Sequence, residues 1–180
     1  MKITQEELKT ALELHKKWLL TEQGGVYFDM SGVDLKQADF SGADLERASF
    51  SGADLRHVDF SGANVSGADF SDADLRGADL RRINLSCANL TGADLRSADL
   101  RWVNTTNTTG LDVICVQLNT SDKNRQIQYY VQLRKVTAGC FSGTLDELKK
   151  AVNEEHDINS VIYKRYQIAF KTIEDILETY

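Results

Sequence analysis

Between Phe28 and about Asn107 a five-residue unit recurs almost without interruption. Its cleanest copies are Ala43-Asp44-Leu45, Ala53-Asp54-Leu55, Ala73-Asp74-Leu75 and Ala93-Asp94-Leu95, each followed by two polar or small residues. Leu or Phe stands at the centre of nearly every unit from Phe40 to Leu100. Phe28 with Met30 reads as a first copy, and Val103-Asn104-Thr105 as a decayed last one. Self-similarity at a fixed period constrains the fold more than any local motif.

A period of five suits neither common element. On an α-helix a step of five residues advances about 500°, so the Leu/Phe centres would scatter around the whole surface. On a flat strand an odd period throws successive centres to opposite faces. Each unit is therefore read as a short extended piece with two inward side chains, the small residue and the centre, followed by a corner. The corner falls on Ser-Gly pairs such as Ser41-Gly42, Ser51-Gly52, Ser61-Gly62 and Ser66-Gly67, which is turn chemistry.

These residues resemble the pentapeptide-repeat family, and the run of consecutive units makes the resemblance specific. It implies an all-β, right-handed quadrilateral solenoid with twenty residues per coil, about four coils over residues 28–107. At the usual inter-strand spacing of about 4.8 Å such a rod is roughly 19 Å long. Its narrow interior suits Ala at the small position, with Val33, Val58 and Ile83 as the largest aliphatic substitutes, and leaves no ligand cavity.

Residues twenty apart then stack in columns. Leu35, Leu55, Leu75 and Leu95 form the first column of centres; Phe40, Phe60, Leu80 and Leu100 form the second. Met30, Phe50, Phe70 and Leu90 form the third, with its Phe pair face to face, and Leu45, Val65, Leu85 and Thr105 the fourth. Outside the first column, Lys36, Arg56, Arg76 and Arg96 run beside Asp34, Asp54, Asp74 and Asp94.

The flanks read differently. Thr4-Gln5-Glu6-Glu7 is a capping box opening a helix over roughly 5–20, with Leu8, Ala11, Leu12, His15, Trp18 and Leu19 at helical spacing. This segment, residues 1–27, is expected to cap the first coil, with Trp18 and Leu19 over Phe28 and Met30. Residues 108–180 read as an α+β segment. Strands are expected at 112–118 and 126–133, with a third over 135–141. A helix follows from a second capping box at Thr144 to about His156, then a longer helix over 158–178; the segment is expected to close the solenoid's other end. Ile162, Tyr166, Ala169, Ile173 and Ile176 lie on one face of the last helix and need a partner. The expected partner is a second copy, since gyrase-protecting members of the family dimerise through C-terminal helices, or the rod, onto which the tail would dock; alternatively the stripe packs on the strands of its own chain. The leader with Gly24-Gly25, and the phrase at 138–144, are similar to those of phage and prophage members.

The net charge of −6 argues against direct nucleic-acid binding, which needs excess Lys and Arg to neutralise phosphate. No apolar run reaches membrane-spanning length, no signal-peptide pattern opens the sequence, and three irregularly spaced Cys suit a reducing cytoplasm. Cys140 with His156 lacks nucleophile-elbow spacing, His15, His57 and His156 lack metal-ligand spacing, and no phosphate loop is present. The expectation is a non-enzymatic interaction module without cofactor or metal, binding a protein partner.

The family resemblance supplies the alternative, an acidic DNA mimic that inhibits or protects a DNA-handling enzyme such as gyrase. Residues 28–107 carry 13 acidic and 8 basic side chains, sparse for a mimic of duplex DNA. One outer cluster departs from the bland pattern. Counting outward from Leu80 and Leu100 gives Arg81, Arg82, Arg101 and Trp102, where the same column earlier offers only Ser41, Gly42, Ser61 and Gly62. Trp and Arg are enriched in interface hot spots, so this is the candidate partner-binding patch. Alternatively, the C-terminal segment covers Trp102 as part of a cap.

Overall fold

The computed structural model describes residues 3–117, 126–138 and 141–179. The chain divides into two compact units, Met1–Leu111 and Asp112–Tyr180.

The first unit opens with helix α1 (Gln5–Leu19). Its capping box forms as the sequence requires: Thr4 Oγ1 accepts from Glu7 N–H at 3.3 Å and the Glu7 carboxylate accepts from Thr4 N–H at 2.8 Å. After the helix the chain turns back tightly along it, with Val26 N–H donating to Leu14 O at 3.0 Å. Only glycine fits at position 25, where a Cβ would stand 2.4 Å from the Trp18 backbone nitrogen. This return brings the face carrying Leu8 and His15, seven residues apart, against the first coil; both are buried. The seat is therefore Leu8 and His15 rather than the expected Trp18 and Leu19. Trp18 is half-buried, stacked on His15 with centroids 5.5 Å apart and meeting Tyr27 edge-on at 5.3 Å.

From Asp29 to Thr109 parallel bridges link residues twenty apart, from Asp29–Ser49 through Asp54–Asp74 to Asn89–Thr109. Each unit is an extended piece and a corner. At the corner a three-residue-apart hydrogen bond closes, as from Ala43 N–H to Phe40 O at 3.0 Å. The third turn residue takes positive φ, for instance Gly42 at +64° and Gly62 at +70°, as a type II turn requires. Between coils Leu55 N–H donates to Asp74 O at 2.8 Å, while Asp54 N–H reaches back to Val33 O at 3.0 Å. The backbone groups of a central coil are thus satisfied by the coils on either side.

Inside, Ala and the centres are buried throughout the middle coils. Phe40 stacks on Phe60 with centroids 5.0 Å apart and planes at 11°, and Phe50 on Phe70 at 5.0 Å and 3°. Across the axis Phe50 meets Phe60 edge-on at 5.5 Å and 86°, so the two columns alternate favourable ring geometries. The expected face-to-face pair is present, and a second one lies beside it.

The second unit is a four-stranded antiparallel sheet in the order β1 (Val113–Gln117), β2 (Gln126–Tyr130), β3 (Lys135–Ala138), β4 (Phe141–Gly143). The single strand expected over 135–141 is a hairpin, with Ala138 opposite Phe141. Helices α2 (Leu145–Glu155) and α3 (Val161–Leu177) follow, α2 with its capping box at Thr144 and Glu147. The core joins Ile127, Tyr129 and Val136 of the sheet to Leu148 and Val152 of α2 and to Tyr166, Ala169, Phe170 and Ile173 of α3.

The α3 stripe therefore has its partner inside its own unit. Tyr166, Ala169 and Ile173 are buried there, Ile176 packs at the margin, and Ile162 at the start of the helix stays 39 % exposed. The sheet and α2 thus cover Tyr166, Ala169 and Ile173 of the five, while Ile162 lies outside that cluster.

Candidate functional site

With the interior filled by side chains, chemistry on the repeat unit is confined to its outer columns. Three of these are occupied by their own ladders. Outside the first column, Arg56 clasps Asp54 through Nε and Nη2 at 2.8 and 2.7 Å and extends towards Asp74 at 3.5 Å; Arg76 repeats this on Asp74 and Asp94. Lys36 spans Asp34 and Asp54 at 3.1 and 3.3 Å. The Arg56 hydrogen bonds hold the Asp54 carboxyl well below the usual range, and Arg96 does the same for Asp94, which falls to about 2. Outside the fourth column an amide ladder runs from Asn104 to Asn84 (2.8 Å), to Asn64 (3.1 Å), to Asp44 (3.0 Å). The third carries hydroxyl contacts such as Ser51–Ser71 at 3.0 Å.

Outside the second column the pattern changes half-way along. Asp39 and Asp59 accept from the backbone of Ser41 and Ser61, beside the bare corners Gly42 and Gly62. Two coils later Arg81 is clasped by Asp79 and Arg101 by Asp99, each through Nε at 2.8–2.9 Å. The next residues, Arg82 and Trp102, occupy the positive-φ corner at +58° and +61°. Their backbones are tied by Arg82 N–H to Arg101 O at 3.0 Å, so their side chains emerge one coil apart. The guanidinium carbons of Arg82 and Arg101 lie 5.4 and 5.6 Å from the Trp102 ring centroid, a cation–π arrangement on both counts. Trp102 is 44 % exposed, and Arg82 has no carboxylate partner among the described residues. The structure thus brings all four sequence-derived candidates, Arg81, Arg82, Arg101 and Trp102, to one corner. Arg81 and Arg101 are already neutralised, leaving Arg82 and the indole as the available groups.

The remaining candidates do not converge. Cys140 lies outside the described residues; His156 ends α2 and stacks on Tyr166 at 5.8 Å. His57 lines a shallow groove with Lys36, Gln37 and Arg56, whose two cations are spent on Asp34, Asp54 and Asp74. Among the described residues no group of His, Cys, Asp and Glu is placed to hold a metal, and no helix is long and apolar enough to cross a membrane. Sequence reasoning passed over His15, whose only signal was a histidine on the apolar face of α1.

A period-five chain with parallel bridges at spacing twenty, a filled interior and functional groups confined to its corners defines a β-helical solenoid. Residues 29–67 and 63–101 match the family model for Pentapeptide repeats, in 8 copies. This repeat segment belongs to the pentapeptide-repeat family. Among solved structures it is similar to a pentapeptide repeat protein of the Arabidopsis thaliana thylakoid lumen. The identity is 39 %, over 44 % of this chain and 55 % of that one, with a TM-score of 0.44. A pentapeptide repeat protein of Nostoc PCC 7120 matches at 26 % over 58 % and 88 % respectively, TM-score 0.41. QnrB1, a plasmid-mediated fluoroquinolone resistance protein, matches at 27 % over 44 % of each chain, TM-score 0.30. The chain spans about half the length of the Arabidopsis relative it matches. Among curated proteins none matches.

Proposed function

We propose that this chain is a non-enzymatic interaction module: a rigid rod of about four coils over residues 28–107 that binds an acidic segment of a protein partner at the Arg82–Trp102 corner. The supporting observation is where these two side chains stand. The third turn residue at positive φ favours glycine, and a bulky side chain there costs about 1–2 kcal/mol. The second column spends glycine on that position at Gly42 and Gly62, then places Arg82 and Trp102 there, exposed and stacked on one another. Neither side chain contributes to the buried core, so their value lies in what they can hold. A carboxylate can pair with Arg82 while a flat or apolar neighbour covers the indole. On a chain of net charge −6, this corner offers a cation that no carboxylate among the described residues neutralises.

The acidic DNA-mimic reading has less support, because in one of the two four-Asp columns Asp54, Asp74 and Asp94 are matched one for one by Arg56, Arg76 and Arg96, and in the other Asp79 and Asp99 are paired with Arg81 and Arg101. Titration of the full chain with a hexaglutamate peptide tests the proposal, read at the indole N–H resonance of Trp102 with Trp18 as the internal reference. A saturable shift at Trp102 that hexalysine does not produce and moderate salt weakens is expected. No shift at Trp102, or an equal shift with hexalysine, would remove it.

A further inference from the structure

We infer that His15 is a proton-sensitive latch that fastens helix α1 over the first coil and releases it on mild acidification. The ring is fully buried, and both nitrogens are engaged across the cap–coil boundary. Phe28 N–H points at Nδ1 from 3.1 Å. A backbone N–H can only donate, so Nδ1 is the unprotonated nitrogen and the proton sits on Nε2, which donates to Glu46 O at 3.2 Å. One imidazole therefore ties α1 to the residue that enters the first coil and to a corner almost one full turn later.

The arrangement fits only the neutral ring. A second proton would go on Nδ1, setting donor against donor at Phe28 and leaving a buried charge without an acceptor on that side. The groups around it are known. Trp18 of α1 stacks on one face, with Tyr27 and Phe28 edge-on at 6.3 and 5.8 Å. From the coil, the Asp44 and Glu46 carboxylates and the Glu46 carbonyl favour the charged ring, but Glu46 also has Arg47 at 3.5 Å. Burial outweighs those attractions and holds the His15 pKa below the ordinary histidine value.

The sign follows from linkage. A histidine whose pKa is lower in the capped state stabilises that state fully above its free value of about 6.5. That contribution is lost as pH falls from there towards the lowered value. In that window the opening equilibrium of the cap rises by up to about tenfold per pH unit. Opening unseats Leu8 and uncovers Phe28, both buried in the closed form, while the bridges among the inner coils involve no histidine side chain.

Amide hydrogen exchange of the full chain, expressed as protection factors between pH 7.5 and 5, tests the latch. Protection of the α1 amides is expected to fall about tenfold per unit below pH 6.5, while that of Phe60 and Leu80 holds. Gln at position 15 can donate and accept but does not titrate, so His15→Gln should flatten the α1 profile. Should that variant fail to fold, the wild-type imidazole nitrogen shifts decide. An Nε2-protonated ring titrating below the free histidine value of about 6.5 supports the latch. Unchanged α1 protection down to pH 5, the same loss in a folded His15→Gln chain, or a His15 pKa at or above 6.5 would overturn it.

Discussion

In the repeat unit nearly every buried side chain has an equivalent twenty residues away; in the C-terminal unit no two core residues are interchangeable. Phe60 rests between Phe40 and Leu80, in a column that Phe fills in its first two coils and Leu in its last two. Phe170 instead belongs to one cluster, with Ile127, Val136, Leu148 and Ile173 each supplying a different shape. The repeat unit spreads its stability over many similar contacts between neighbouring coils, as solenoids do. The C-terminal unit concentrates it in a single three-element contact. Substitutions should therefore be felt unequally, and the largest effects belong to the cluster.

Phe170→Ala is expected to cost about 3–5 kcal/mol and to melt the C-terminal unit as a whole. Calorimetry should show its transition lowered while that of the repeat unit holds; equal loss in both would break the comparison. Phe60→Leu, which repeats what the same column already does at Leu80, should cost no more than about 1.5 kcal/mol by denaturant unfolding. A loss as large as that for Phe170→Ala would mean the coils are not interchangeable. Asn84→Ala interrupts the amide ladder, removing the donor it gives to Asn64 Oδ1, which keeps Ser66 N–H, and the acceptor it gives to Asn104 Nδ2, at a cost of about 1 kcal/mol.

Smallest of all is Arg76→Ala, which removes an exposed pair whose worth solvent screening keeps small. Its signature is in pH rather than magnitude. Arg76 lowers the Asp74 pKa by its side-chain hydrogen bond and, more weakly, that of Asp94, so its contribution is present above the ordinary carboxylate range and fades as pH falls through the lowered values. Acid titration of the variant against wild type should converge once the pH lies below the lowered carboxylate values. A difference that grows on acidification would contradict the assignment.

The same contrast explains what could be read from the residues. A column needs only a period, and the period is written in Leu55, Leu75 and Leu95. The turn closing each unit, the paired Phe columns and the Asp–Arg ladder all follow from counting by twenty. The Arg82–Trp102 contact was legible for the same reason, since a fixed rise of one coil places residue 82 beside residue 102. Where the period stops, the inference weakens. The amphipathic stripe of α3 showed that Tyr166, Ala169 and Ile173 are buried but not against what, because apolar periodicity carries no address. The hairpin at β3–β4 was read as one strand because an isolated Gly139 inside a strand pattern reads equally as a bulge. His15 was missed because its role depends on the chain returning past Gly25, a tertiary approach that spacing along α1 does not record.

The central claim is that the repeat unit keeps its stability inside and its function at the outer corner. The melting temperature of Trp102→Gly tests it most directly. Glycine is the residue best suited to a backbone at φ of +61°, so a side chain kept there for binding is dispensable to the fold. The expected result is a melting temperature equal to or above that of the wild type. A clear drop would show that Trp102 holds the rod together, and would contradict the account.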